Sequence, residues 1–169
     1  MNATEKQTSL KVLLGTKSLD SNWGVDDSMA TIGFLYTYQP TSMPIGLAVD
    51  LYGSGNENKS SGMKTDTTIG EVNLGLRWQP QIMGPLFQPY VGAGISFAKT
   101  KLQQDDFNVK QTYEDNGTGY WLGGGVDYLF TQHWLVGVNA HYSSVDLKVN
   151  KQERDAGGLG LGLTVGYRF

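Results

Sequence analysis

Cysteine is absent from this chain of 169 residues, so neither disulfide bonds nor thiolate metal sites can contribute to its structure. Proline, with 5 residues, and histidine, with 2, are scarce. No segment approaches the run of roughly 20 apolar residues that a membrane-spanning helix needs, and the opening MNATEKQTSL lacks the apolar core of a signal peptide. The few basic residues are scattered and the net charge is −3, which argues against a nucleic-acid partner.

The chain is instead rich in glycine, and its apolar residues alternate strictly with glycine and polar residues. Its 23 glycines and 11% aromatic residues suit many short strands within a single domain, residues 1–169. The last segment places leucine, valine and aromatic residues on one parity from Leu159 to Phe169, and glycine, threonine and arginine on the other from Gly158 to Arg168. Because side chains of a strand point alternately to opposite faces, this strand can separate lipid from a lumen. The mean hydropathy of −0.31 is uninformative, because a barrel that buries only alternate residues in lipid hides its membrane character from an average.

The same alternation recurs in eight segments. The predicted strands cover residues 7–16, 28–38, 45–54, 66–79, 88–102, 117–130, a seventh from Trp134 and a last one over 158–169. Beyond Ser144 the apolar parity changes, which predicts either a bulge or a strand that extends past the lipid. Connections 17–27, 55–65, 103–116 and 150–156 are polar, whereas 39–44, 79–87 and 131–133 are mostly shorter. We therefore predict an all-β fold, an eight-stranded antiparallel up-and-down transmembrane β-barrel with long extracellular loops and short periplasmic turns.

Polar side chains on the inward parity define a predicted lumen network, which comprises Lys11, Asp50, Glu71, Asn73, Arg77, Asp127, Asn139, His141 and Arg168. Three cations balance three anions in this set, and buried charges are costly unless they are paired, so the pattern favours a neutral, crosslinked plug. The inward glycines leave two alternatives open. They either make room for water, a ligand or the long side chains opposite, or relieve strain in a strongly curved sheet. These glycines are Gly33, Gly46, Gly75, Gly92, Gly94, Gly123, Gly125, Gly137, Gly160, Gly162 and Gly166.

Aromatic residues collect near the periplasmic strand ends of this topology. Amphipathic rings favour a membrane–water boundary because one part is apolar and another can hydrogen-bond. The predicted periplasmic aromatic girdle comprises Tyr36, Tyr38, Trp78, Tyr128, Phe130, Trp134, Tyr167 and Phe169.

Four motifs carry a resemblance to a known family: PYVGAGISF at 89–97, GGGVDYLF at 123–130, HWLVGVNAHY at 133–142 and VGYRF at 165–169. They resemble the outer membrane protein W family and, more loosely, the OmpA-like eight-stranded barrels. The resemblance implies a narrow conduit for small, mainly hydrophobic molecules in the bacterial outer membrane, after removal of a signal peptide. We also expect a monomer without cofactors, surrounded by outer membrane lipid and lipopolysaccharide. The terminal strand looks like the signal that the barrel-assembly machinery reads.

Two other function classes remain open. The segment His141-Tyr142-Ser143-Ser144 resembles the His-x-Ser element of outer-membrane lipid A deacylases, for which Glu153 or Asp155 could supply the carboxylate. The inward parity of His141 and Ser143 argues against this chemistry, and we expect no enzyme.

An interaction barrel is the other class. Its external loops would bind lipopolysaccharide, a host molecule or phage, with phosphate contacts from Lys59, Lys64, Lys99, Lys101 and Lys110. No metal site is expected, since His133 and His141 lack a third ligand.

Overall fold

A computed structural model describes residues 8–19, 28–40, 43–60, 63–80, 82–106, 109–149, 152–155 and 158–169. These ranges contain nine strands: β1 (Ser9–Leu19), β2 (Ser28–Tyr38), β3 (Ile45–Ser60), β4 (Met63–Trp78), β5 (Phe87–Asp106), β6 (Val109–Leu129), β7 (Trp134–Val149), β8 (Gln152–Asp155) and β9 (Gly158–Arg168). All except the short β8 join one antiparallel barrel, which confirms the predicted fold class. No helix within the described ranges is long and apolar enough to cross a membrane.

The barrel closes because every one of its eight strands pairs on both sides. Strands β1 to β7 are neighbours in chain order, and β9 lies between β7 and β1. A path that starts at Leu19 and steps from each residue to its pairing partner on the next strand passes through all eight strands. It returns to β1 at Ser9, ten residues from its start. Such a stagger requires strands that are tilted to the barrel axis by about 35–45°.

Strand β7 continues without interruption past Ser144. Its pairing with β6 keeps one register from Leu129↔Leu135 to Gly119↔Val145. Val145 is fully buried and keeps the inward parity of Ser143. Of the two predictions for this strand, extension is therefore correct and the bulge is wrong.

The apolar parity forms the outer wall of the barrel, as the alternation predicts. Leu14 and Leu163 are 63% and 67% exposed, whereas their chain neighbours Leu13 and Thr164 are at most 1% exposed. This arrangement inverts that of a soluble protein, so the outer wall needs an apolar solvent such as lipid.

Thr8, the first described residue, Phe169 and the short connections lie at one end of the barrel, here called the turn end. The backbone N–H of Phe169 donates to the carbonyl of Thr8, and that of Arg168 donates to the carbonyl of His133. In the connection 79–87, Gly84 has a φ of 83°, which a glycine adopts without strain. Ile82 is 75% exposed beside it, so the apolar wall continues into this turn.

At the opposite end of the barrel, here called the ribbon end, the structure has extended strands where the sequence predicts long loops. Segments 55–65 and 103–116 are mostly strand, since β3 pairs with β4 as far as Ser60↔Met63 and β5 pairs with β6 as far as Asp106↔Val109. β4 and β5 also pair at Lys64↔Asp105, so β3–β6 continue as one four-stranded sheet, the ribbon sheet. Alternation could not reveal these extensions, because both faces of a strand outside the membrane meet water while the backbone ladder persists.

The remaining polar connections are only partly described. Residues 17–19 of the segment 17–27 belong to β1, and residues 20–27 lie outside the described residues. Within 150–156, the short strand β8 pairs with the end of β7, from Asp146↔Asp155 to Val149↔Gln152.

Candidate functional site

The polar parity of the barrel strands converges on the interior. Eight members of the predicted lumen network are at most 5% exposed, and they are Lys11, Asp50, Glu71, Asn73, Arg77, Asp127, Asn139 and His141. The ninth, Arg168, lies at the rim of the turn end, where its guanidinium donates to the Gln132 carbonyl at 3.2 Å. Its parity is inward, but a residue so close to the strand end has no opposing wall to bury it.

Two ion pairs lie in the half of the barrel nearer the turn end. Arg77 Nη2 is 2.5 Å from Asp50 Oδ2, and its Nη1 donates to the Thr37 hydroxyl at 2.6 Å. Lys11 Nζ is 2.8 Å from Asp127 Oδ2. Each carboxylate thus neutralises one buried cation, which offsets the cost of removing both charges from water.

A third ion pair lies towards the ribbon end and contains a residue that the sequence analysis placed in a loop. Lys17, 1% exposed, donates from Nζ to Glu71 Oε2 at 2.7 Å. The hydroxyls of Ser143 and Ser96 each donate to the same carboxylate at 3.2 Å. Lys17 shares the odd parity of Lys11, and that parity was the available signal for its inward position. With Lys17 in place of Arg168, the interior still balances three cations against three anions.

Aromatic and amide side chains extend from the Lys11–Asp127 pair into the interior. The ammonium of Lys11 lies 3.7 Å from the centroid of the Tyr90 ring, a cation–π contact. The Tyr90 hydroxyl accepts from Asn139 Nδ2 at 2.8 Å, and His141 Nδ1 donates to Asn139 Oδ1 at 3.0 Å. The His141 ring also stacks on Tyr52, with 4.2 Å between centroids. A continuous set of contacts therefore crosses the interior.

The inward glycines do not leave gaps. At eight of the eleven, a side chain occupies the space that a Cβ would take: a Cβ at Gly92 would lie 2.8 Å from Trp121, and one at Gly33 would lie 2.7 Å from Tyr52. The same holds for Gly123, Gly125, Gly137, Gly160, Gly162 and Gly166, which face His141, Tyr90, Asp127, His141, Leu13 and Lys11 respectively. At Gly46, Gly75 and Gly94, backbone carbonyls of adjacent strands approach instead. The glycines therefore make room for the long side chains opposite and for close backbone approach, while strain relief in the curved sheet stays a prediction.

The residues of the predicted aromatic girdle lie near the turn end. Seven of them are 39–65% exposed: Tyr36, Tyr38, Trp78, Tyr128, Phe130, Trp134 and Phe169. Tyr167 is half-buried because it packs edge-on against Trp134, with ring centroids 5.3 Å apart. Phe87, which the sequence analysis did not include, joins the group through Tyr128 at 5.2 Å.

The proposed hydrolase arrangement is not formed among the described residues. His141 bonds to Asn139, whereas Ser143 bonds to Glu71 and Lys17, and both side chains are at most 2% exposed. The side chains of Glu153 and Asp155 lie outside those described. A serine held in this way by an ion pair inside the barrel cannot reach an acyl ester in the surrounding lipid.

Comparison with known proteins agrees with this geometry. Residues 2–169 match the family described as outer membrane protein beta-barrel domain. The chain belongs to this family. Its family membership identifies the apolar outer wall as the surface of an outer membrane barrel, while the narrower likeness to the outer membrane protein W family stays a prediction. No curated protein matches the sequence.

Several solved outer membrane barrels share the fold of this one. The Neisserial surface protein A is 16% identical with a TM-score of 0.69, and OprG from Pseudomonas aeruginosa is 17% identical with a TM-score of 0.70. Ail, the attachment invasion locus protein of Yersinia pestis, is 16% identical with a TM-score of 0.62. Each comparison covers 97% of both chains. At these identities the similarity establishes the fold alone.

Proposed function

We propose that this outer membrane barrel is a sealed scaffold that displays the ribbon sheet outside the cell for contact with other molecules. The observation that carries the proposal is the filled interior. Each predicted inward glycine meets a side chain or a neighbouring backbone, and three buried ion pairs span the lumen. An eight-stranded barrel has an interior just wide enough to be filled by its own side chains.

The ribbon sheet supports the display part of the proposal. A tilted strand needs about 9–11 residues to cross the membrane. β5 and β6 have 20 and 21 residues, so about half of each extends beyond the bilayer. In β5 the exposed side chains change from Phe97 to Lys99 and Lys101, which marks the point where the strand leaves lipid.

The narrow conduit that the resemblance implies is the second candidate, and one observation favours it. Among the described residues, several buried polar atoms lack a protein partner, including both amide atoms of Asn73, Asp50 Oδ1 and His141 Nε2. Buried polar atoms usually bond to protein or to ordered water, so we expect water at these positions. A connected file of such water would mark an open path through the lumen for small molecules, which makes flux the discriminating quantity.

Orientation, targeting and partners complete the proposal. An even number of strands puts both termini on the same side, and because outer membrane barrels have short periplasmic turns, we propose that the turn end faces the periplasm and the ribbon end lies outside the cell. We further propose insertion by the barrel-assembly machinery through β9, removal of a signal peptide, and a monomer in contact with outer membrane lipid and lipopolysaccharide. β9 supports the first of these, since Leu161, Leu163 and Val165 alternate on its lipid face before the exposed Phe169.

The experiment combines flux with binding. The wild-type barrel, reconstituted in planar bilayers, is expected to give no conductance above protein-free lipid, and discrete conductance steps would favour the conduit. A variant that keeps the pair Gln103↔Thr112 but replaces 104–111 by a two-residue turn shortens the ribbon sheet. Because Ail has been solved with a heparin analogue, heparin beads are a suitable first probe.

Cells that carry the wild-type barrel are expected to bind these beads, and cells that carry the shortened variant are expected to lose binding. Both barrels should keep the same heat-dependent gel mobility. Equal binding by both would contradict display by this sheet.

A further inference from the structure

The outer wall carries a depression of about 830 Å³ at the level where lipid contact ends. Outward side chains of neighbouring strands line it, with Leu51, Val72 and Phe97 on the side of the turn end. These three residues are register partners on β3, β4 and β5. Lys99, Asn116 and Thr118 line the side of the ribbon end.

Gly70 leaves space in this depression, which it lines from β4. It lies on the outward parity, and a Cβ at Gly70 would have no neighbour closer than 4.0 Å. Unlike the inward glycines, Gly70 therefore leaves open space on the outer wall, in a depression that the side chains of Leu51, Val72 and Phe97 also line.

The chemistry of the depression changes along the barrel axis. Its apolar side continues the lipid-facing wall, where an acyl chain can replace water against Leu51 and Phe97. At the other side, the Lys99 side chain is 63% exposed and its Nζ lies 3.8 Å from Glu114 Oε2. An exposed ion pair at this distance is weak, so the ammonium is available for a stronger charge-assisted bond to phosphate. Asp146 lines the depression from β7, and its carboxylate would repel a phosphate at that edge, so Lys99 is the position where a phosphate would meet a cation.

We propose that this depression binds lipopolysaccharide, with one acyl chain of its lipid A against Leu51, Val72 and Phe97 and one phosphate at Lys99. Its position at the ribbon end assigns it to the outer leaflet, where a lipid that joins several acyl chains to phosphorylated sugars presents both groups at the same depth. The proposal rests on the orientation proposed above, with the ribbon end outside the cell. It does not depend on whether the lumen is sealed, because Leu51, Val72, Phe97 and Lys99 lie on the outer wall.

Native mass spectrometry of the purified barrel in detergent, titrated with diphosphoryl lipid A, tests the site. Gly70→Leu fills the depression and Lys99→Gln removes its cation, and each is expected to weaken binding by about tenfold. Ala93→Leu adds the same bulk to the outer wall nearer the turn end, and Lys101→Gln removes an exposed cation outside the depression. These two control variants are expected to bind as the wild type does.

Every other result counts against the proposal. Equal affinity of Gly70→Leu and Ala93→Leu for lipid A would contradict the proposed acyl-chain site. Equal affinity of the wild type for diphosphoryl and dephosphorylated lipid A would contradict the proposed phosphate contact. Equally tight binding of phosphatidylglycerol would overturn the assignment to lipopolysaccharide, and a lipid-free dimer that Gly70→Leu abolishes would identify the occupant as a second copy of the chain.

Discussion

The Lys17–Glu71 ion pair offers the sharpest test of the interior, because removal of the Glu71 carboxylate leaves Lys17 as a buried cation without a counter-charge. Glu71→Gln keeps the size of the side chain but removes the charge that faces Lys17 Nζ at 2.7 Å. Both side chains are at most 2% exposed, so Lys17 would keep only neutral acceptors, the introduced amide oxygen and the Ser143 hydroxyl at 3.4 Å. Breaking a buried pair in this way costs about 3–5 kcal/mol of folding free energy.

Equilibrium unfolding in urea, followed by the fluorescence of the four tryptophans, measures this loss in detergent-refolded protein. With an m value of about 2 kcal/mol per molar, the urea midpoint should fall by about 2 M. The matched control is Glu114→Gln, whose side chain is 49% exposed and pairs with Lys99 at 3.8 Å, so its cost is about 0–1 kcal/mol. The charge-free double variant Lys17→Met/Glu71→Leu should recover most of the stability. A midpoint for Glu71→Gln no lower than that of Glu114→Gln would refute the reasoning.

Two further perturbations test the packing inside and outside the barrel. Gly92→Ala forces a methyl group against Trp121 and should lower the free energy of unfolding by about 1–3 kcal/mol. The control Gly53→Ala places its methyl group in open space and should change the free energy of unfolding little. Similar urea midpoints for the two variants would be inconsistent with a filled interior. Trp134→Ala removes the edge-on contact with Tyr167 at the turn end and should cost about 0.5–1.5 kcal/mol beyond the lost apolar area. A double-mutant cycle with Tyr167→Ala measures that coupling, and additive effects would show that the rings do not interact.

Period-two alternation predicted the strands and their faces because each barrel strand separates two different environments. Leu10, Val12 and Leu14 face outward in β1 while Lys11 and Leu13 are buried, as their parity indicates. The contrast disappears where both faces meet water. For that reason the sequence analysis assigned the ribbon sheet to loops.

Partnerships across the lumen could not be predicted in the same way. Parity indicates that Glu71 and Asp127 point inward, but the stagger of the barrel decides which cation each one meets, and nothing local encodes that stagger. Lys17 was missed because it follows the apolar alternation of β1, in a polar stretch that resembles a loop. The sequence analysis included Arg168 in the lumen network because its parity is inward. Parity does not indicate the position of a residue along the barrel axis, and Arg168 lies on the rim at the strand end.

The accessibility of a single engineered thiol tests the sealed lumen most directly, since the chain contains no cysteine of its own. Ser96→Cys introduces a nearly isosteric thiol at a position that is 0% exposed inside the barrel, and Thr118→Cys introduces one at an exposed position near the ribbon end. The measurement is the rate at which a charged, membrane-impermeant thiol reagent labels each folded barrel. The account predicts prompt labelling of Thr118→Cys and labelling of Ser96→Cys only after unfolding in urea. Comparable rates in the two folded proteins would contradict it, because water and solutes would then reach the centre of the lumen.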